Sequence, residues 1–179
     1  MGKIIAIDPG PKTSGVAIID DASWPPLIRY AGKTVPIVAI MRDIERTSSM
    51  QIYPGACDVV VEDITARGAG HSIFTHAIQT AKIMGEISRQ CTIYNTHYHE
   101  INGATWRAKV TGNPTAKTTQ IKDCISEIYE EAGFACGGGK NPVKGTKLQP
   151  GPLYGVASHA WDAIGIGLAW IIINEGKIR

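Results

Sequence analysis

KIIAIDPGPKTSGVAII, residues 3–19, decides how the rest of the chain is read. Lys3 to Ile7 is β-branched and too short for a helix, which predicts a buried strand. Gly10, Pro11 and Lys12 make a tight loop, and Ser14 to Ile19 returns as a second strand beside the first. Asp8 stands where the first apolar run stops. A carboxylate at a buried strand end is costly unless a cation meets it. An Asp before Pro-Gly can equally bond its own backbone in a turn. These residues alone leave both readings open.

Downstream, Trp24-Pro25-Pro26 marks a turn, Leu27 to Val35 a third strand, and Ile37 to Tyr53 a helix with Ile40, Met41 and Ile44 on one side. Cys57 to Ile64, CDVVVEDI, is apolar with little alternation, the pattern of a strand covered on both faces, and it ends in Glu62 and Asp63. ARGAGH, residues 66–71, is a glycine-rich loop in which Arg67 suits an approaching phosphate backbone. Ser72 to Arg89 predicts an amphipathic helix capped by Ser72, with Ala77, Ala81 and Gly85 forming a stripe of small residues for close packing on the sheet or on a second copy. Thr92 to Asn95 is expected as the fifth strand, Tyr98 to Lys109 as a short helix, and Thr115 to Ala132 as a helix with Ile121, Ile125 and Ile128 inward. Residues 136–155, rich in Gly, Pro and Lys, predict a flexible loop before a last, strongly apolar helix from Val156 to Glu175. Strands in a meander followed by strands alternating with helices give a single α/β domain over residues 1–179 with a mixed sheet.

The 179 residues suffice for one substantial core. Hydrophobic residues at 44% and charged residues at 19% describe an ordinary soluble protein, and a net charge of +2 neither demands nor excludes nucleic acid. Four scattered cysteines without a C-x-x-C pair argue against a zinc site and a disulfide framework, and for a reducing compartment. The N-terminal apolar run is cut short at Asp8, and Ala163 to Ile173 is about half of a bilayer span, so the expectation is a cytoplasmic protein with no membrane partner.

The chemistry gathers at Asp8, Glu62, His159 and Asp162. His159 and Asp162 lie three apart in a first helical turn and share a face. Singly, Glu62 or Asp63 can be the first solvated residue past a strand, Asp162 can favour a helix N-terminus, and His159 can be a surface cap. Jointly, three carboxylates aimed at one spot repel unless cations sit among them. Oxygen ligands of this kind favour Mg²⁺ or Mn²⁺. A pair of such ions roughly 3.5–4 Å apart can activate water and stabilise a leaving alkoxide in phosphodiester cleavage.

IAIDPGPKTSGVAI, VVVEDI and SHAWDAIGIGLA, in that order in a chain of this size, resemble the RuvC family of Holliday-junction resolvases. The resemblance spans nearly the whole chain; its motifs are short singly and specific jointly. It implies a ribonuclease H-like fold with a five-stranded sheet flanked by helices, a homodimer acting on four-way DNA junctions and other branched DNA, and paired hydrolysis leaving 5′-phosphates. It also implies two Mg²⁺ per site, replaceable by Mn²⁺, held at positions matching Asp8, Glu62, His159 and Asp162. WRAKVTGNPTAKTTQ resembles the family's basic stretch, with Arg107 and Lys117 at its important lysines and Lys109 between them. Thr65 stands where bacterial members carry an aromatic wedge, which passes that role to Phe74 or to no residue. Residues 136–155 are longer than the bacterial connection, and Arg107 replaces a lysine. These departures suit a bacteriophage-type branch.

From residue 101 to 150 there are seven cations against four acids, a local basic excess. Lys117, following Gly112-Asn113-Pro114 at a helix start, is well placed to meet phosphate. Gly137-Gly138-Gly139-Lys140 fails the P-loop pattern, because Phe134 occupies the first glycine position and Asn141 the Ser/Thr position, so no nucleotide cofactor is expected. His97 and His99 alternate like strand-exit residues with no third ligand nearby in sequence, which weighs against a metal there. Three other functions compete: a non-catalytic junction or promoter binder of the same fold, a sugar-kinase or actin-like ATPase, for which the chain is short and lacks a second phosphate hairpin, and, on chemistry alone, a related ribonuclease H-like enzyme acting on RNA.

Overall fold

The structure, a computed structural model, describes residues 2–11, 13–35, 39, 40, 42, 57–63 and 71–176, with the side chains of 33–35, 71–74 and 175 outside it. Strand β1 (Lys3–Asp8) pairs antiparallel with β2 (Ser14–Asp20), and β2 with β3 (Leu27–Val35). β4 (Cys57–Asp63) lies parallel to β1 on its other side, and β5 (His97–Asn102) parallel to β4. The sheet order is β3-β2-β1-β4-β5, a mixed five-stranded sheet flanked by helices, as expected.

Burial on both faces explains the unbroken apolar runs. In β1 and β4, Ile5, Ile7, Val59 and Val61 enter one core, where Met84, Ile87 and Cys91 of helix α1 (His71–Ile93) meet them. Ile4, Ala6 and Val60 enter the other. There they meet α2 (Gly103–Thr111), α3 (Thr118–Glu131) and α4 (His159–Glu175). Ile121, Ile125 and Ile128 point inward from α3 as their spacing requires. Residues 161–169 of α4 are all buried, because the helix crosses the sheet beneath α2 and α3. Gly165 permits that sandwich: a Cβ there would sit 2.7 Å from Cζ3 of the fully buried Trp106. No helix among the described residues is long and apolar enough to cross a membrane.

Several expectations shift. Thr92 to Asn95 is not a strand: α1 runs on to Ile93, because Thr80, Met84, Ile87 and Cys91 continue one buried stripe, and the chain turns at Asn95 with φ 52°. The fifth strand is instead His97–Asn102, and the helix expected from Tyr98 begins only at Gly103, where the Asn102 side chain accepts a hydrogen bond from the Ala104 N–H at 2.9 Å. Ser72 lies inside the first turn of α1 and so is not its cap. The small-residue stripe does not pack on the sheet, since Ala81 and Gly85 face outward. Residues 136–155 are folded, with Gly138 N–H bonding Gln149 O at 2.9 Å, Gly145 N–H bonding Asn141 O at 2.7 Å and Leu153 N–H bonding Val143 O at 3.0 Å. Val143 and Leu153 anchor that loop in the core, and Gly145 supplies a φ of +70°. Met41, Ile44 and the rest of the helix expected over 37–53, apart from Ala39, a buried Ile40 and Arg42, lie outside the described residues, as do Thr65, Arg67 and the Phe74 side chain.

Candidate active site

Side-chain alternation settles which acids meet. Along β1, Ile4 and Ala6 face α4, so Asp8 does as well; along β4, Val60 and therefore Glu62 face α4, while Asp63 keeps the parity of Val59 and Val61. Both strands are parallel and end together, placing the two acids side by side at the same sheet end. The first turn of α4 arrives there with His159 and Asp162.

One nitrogen or oxygen of each of Asp8, His159 and Asp162 lies within 4.8 Å of the others, close enough to hold one metal ion. His159 Nδ1 is 2.7 Å from Asp8 Oδ2, and its ring is 58% exposed against 16% for the Asp8 side chain. Glu62 joins through a cation: Arg107 Nη1, one turn into α2, donates to Glu62 Oε1 at 3.0 Å. The same guanidinium lies over the Trp106 ring at 4.4 Å and favours the charged forms of Asp8 and Asp162. The Trp106 indole N–H is buried without a hydrogen-bond partner among the described residues.

Electrostatically the cluster is short of positive charge. Burial raises the Asp8 carboxyl above its usual range, against the opposing hydrogen bond and charge of His159. Burial likewise raises Glu62, opposed by Arg107 and reinforced by Asp8. Asp162, only 9% exposed, is pushed up to about 6 by burial and then by the Asp8 charge. One guanidinium and one imidazole do not neutralise three desolvated carboxylates. That deficit, with hard oxygen donors and one imidazole, fits divalent Mg²⁺ or Mn²⁺.

Two glycines make room for this arrangement. A Cβ at Gly15, which pairs with Asp8 across β1 and β2, would collide with the carbonyl of His159; at Gly103 it would strike Glu62 Oε1 and Arg107 Nη1. Sequence reading picked out neither, because the crowding comes from α4 and β4. Ser158, just before His159, holds φ 51° and ψ −133°. Such a conformation costs on the order of 1–3 kcal/mol and turns up where surrounding structure dictates it. Gly15→Ala is expected to push the head of α4 off β2 and destabilise the fold by about 1–3 kcal/mol, with a fall in the thermal midpoint read by circular dichroism. An unchanged midpoint would show that α4 does not depend on that close approach.

Arg107 offers a second check. Its pair with Glu62 is 27% and 17% exposed, enough burial for the lone carboxylate left by Arg107→Gln to matter. That variant is expected to lose about 1–3 kcal/mol of metal-free stability in urea titrations, with Arg107→Lys in between. The two lysines stand apart from the acids: Lys109 is exposed in the last turn of α2, and Lys117 is exposed at the head of α3, its backbone N–H bonded to Gln120 Oε1 at 3.0 Å.

No family model matches the sequence, and neither does any curated protein. Solved structures do match. The fold is similar to that of Thermus thermophilus RuvC, with a TM-score of 0.65 and 14% identity, covering 97% of this chain and 96% of that one. It is also similar to T. thermophilus RuvC in complex with a Holliday junction substrate, with a TM-score of 0.63 and 13% identity over 98% of this chain and 97% of that one. The chain therefore has a RuvC-like fold of the ribonuclease H type.

Proposed function

We propose that this protein is a metal-dependent endonuclease that resolves four-way DNA junctions, with other branched DNA as a wider substrate class. The observation that carries the reading is the convergence of Asp8, Glu62 and Asp162, three desolvated carboxylates from β1, β4 and α4, beside His159. A fold held in common with T. thermophilus RuvC in complex with a Holliday junction substrate supports it.

Asp8, Glu62, Asp162 and His159 are the residues that would hold two Mg²⁺ or Mn²⁺ ions. Such a pair supplies Lewis acidity at a scissile phosphate and a water deprotonated near neutral pH. The chain's own part is positional. Asp8 fixes the His159 ring through Nδ1 and leaves its other nitrogen free to take a proton or a ligand. Arg107 holds Glu62 in place and lowers the repulsion among the acids. Lys109 and Lys117 bind backbone phosphate on the flank of the site, Lys117 with help from the free N–H groups of α3. Arg67 is proposed as a further phosphate contact. Hydrolysis leaves 5′-phosphate and 3′-hydroxyl ends.

A homodimer would set two such sites on one junction, because a two-fold interface matches the junction's own symmetry. The outward stripe of Ala81 and Gly85 beside the exposed Ile78 is the face of α1 open to a second copy. The departures at Thr65, Arg107 and residues 136–155 support a bacteriophage-type branch, and the same reading has the protein work in a cytoplasm.

The test is cleavage of an end-labelled four-way junction with Mg²⁺ or Mn²⁺. Symmetrical nicks with 5′-phosphate ends support the proposal. Tight junction binding without cleavage in either metal would make the protein a non-catalytic binder.

A further inference from the structure

We propose that Asp58, His97 and His99 form a second metal site, for a transition ion of the Zn²⁺ type, remote from the acidic cluster. Asp58 lies near the start of β4, and His97 opens β5. The parallel register sets Asp58 opposite His97 and Val60 opposite His99, so the period of two turns all three side chains to one sheet face. Cys57 is a neighbour in sequence only, since its side chain enters the opposite core.

The donor atoms are already gathered. His97 Nδ1 is 3.4 Å and His99 Nε2 is 3.0 Å from the same atom, Asp58 Oδ1. One donor atom from each residue lies within 4.8 Å of the other two. Tetrahedral Zn²⁺, with nitrogen and oxygen ligands at about 2.0–2.2 Å, keeps those ligands roughly 3.3–3.5 Å apart. The pocket therefore needs little movement to close on an ion. In the metal-free protein His99 Nε2 is hydrogen-bonded to the Asp58 carboxylate while His97 Nδ1 lies at ion-pair distance from it, and the ion takes the place of the proton shared with His99. His99 is oriented by Trp170 of α4, with ring centroids 4.3 Å apart. The His97 side chain is 65% exposed, which leaves a fourth position to water.

Two imidazoles and one carboxylate favour Zn²⁺, Co²⁺ or Ni²⁺, whereas the acidic cluster at the other end of the sheet favours Mg²⁺. Asp58 precedes Glu62 by four strand residues, about 13 Å, so the sites do not share a ligand. The ion would clip β5, the edge strand, to its interior neighbour β4 and, through His99 and Trp170, to the far end of α4. The site does not depend on the nuclease reading.

Metal-stripped protein would be titrated with ZnCl₂ by calorimetry and with Co²⁺ by visible absorption, in the presence of excess Mg²⁺. One equivalent of Zn²⁺ is expected to bind, with a tetrahedral Co²⁺ spectrum and a rise in thermal midpoint. His97→Ala, which removes an exposed side chain and leaves the core intact, should weaken binding by at least about 100-fold. His99→Ala and Asp58→Asn should do the same, and Asp8→Asn should leave the equivalent in place. Junction cleavage by His97→Ala should match wild type. Zn²⁺ binding that survives His97→Ala and Asp58→Asn, or that is lost in Asp8→Asn, overturns the assignment, as does the absence of binding.

Discussion

Asp8→Asn is expected to slow four-way-junction cleavage by at least about 10³-fold, since a lost ligand at such a centre removes several kcal/mol of transition-state stabilisation. Asn keeps the size of the side chain and a carbonyl oxygen for His159, so the fold should persist. Junction affinity, which the proposed function assigns to cations away from the acids, should fall little or rise as one negative charge leaves. The measurement is single-turnover cleavage at saturating protein beside a gel-shift titration. A variant that cuts within tenfold of wild type would remove Asp8 from the chemistry. Equal loss of binding and cutting would make its role structural.

Asp162→Asn should remove activity and yet stabilise the metal-free protein. The Asp162 carboxyl sits at about 6 in the folded chain against an ordinary 3.8, chiefly because it is buried. Folding therefore raises its proton affinity. The protonated form favours the native state, and that advantage is complete below about pH 4 and lost as pH rises through about 6. A shift of about two units corresponds to roughly 3 kcal/mol of strain carried at neutral pH. Relieving it with Asn should raise the thermal midpoint in EDTA by about 6–12 °C at pH 7.5. The gain should shrink below pH 5, where wild-type Asp162 is itself protonated. Mg²⁺ should stabilise the wild type and do little for the variant. A midpoint that falls at pH 7.5 would mean that Asp162 is satisfied by the protein alone. The trade is the familiar one in which a site keeps charges that folding disfavours.

Much of this was legible in local pattern. The β-branched runs of β1 and β4 announce strands covered on both faces, and the spacing of Ile121, Ile125 and Ile128 announces α3, because each signal depends on residues a few positions apart. β5 escaped because HYHEIN is an edge strand with mostly half-exposed polar side chains. The β-branched Thr92 and Ile93 looked the better strand, yet Ile87 and Cys91 hold that stretch in a helix by burying its inner stripe.

The candidate site divides the same way. Asp8, Glu62, His159 and Asp162 were visible as acids and an imidazole at element ends. Which of Glu62 and Asp63 turns inward was decided only by strand parity against α4. The Arg107 pair with Glu62, the need for Gly15 beneath the His159 carbonyl, and the meeting of Asp58 with His97 and His99 arise across 39 to 144 positions of chain. Hydrophobic period and turn chemistry act between near neighbours, and so the residue order alone determined β1 to β4, the inward stripe of α3 and the acids these elements and α4 carry, but not β5 or the folded loop before α4. Strand register and helix docking act between distant segments, and only the tertiary structure decided which charges share a site, which cation offsets them, and where a second set of ligands gathers.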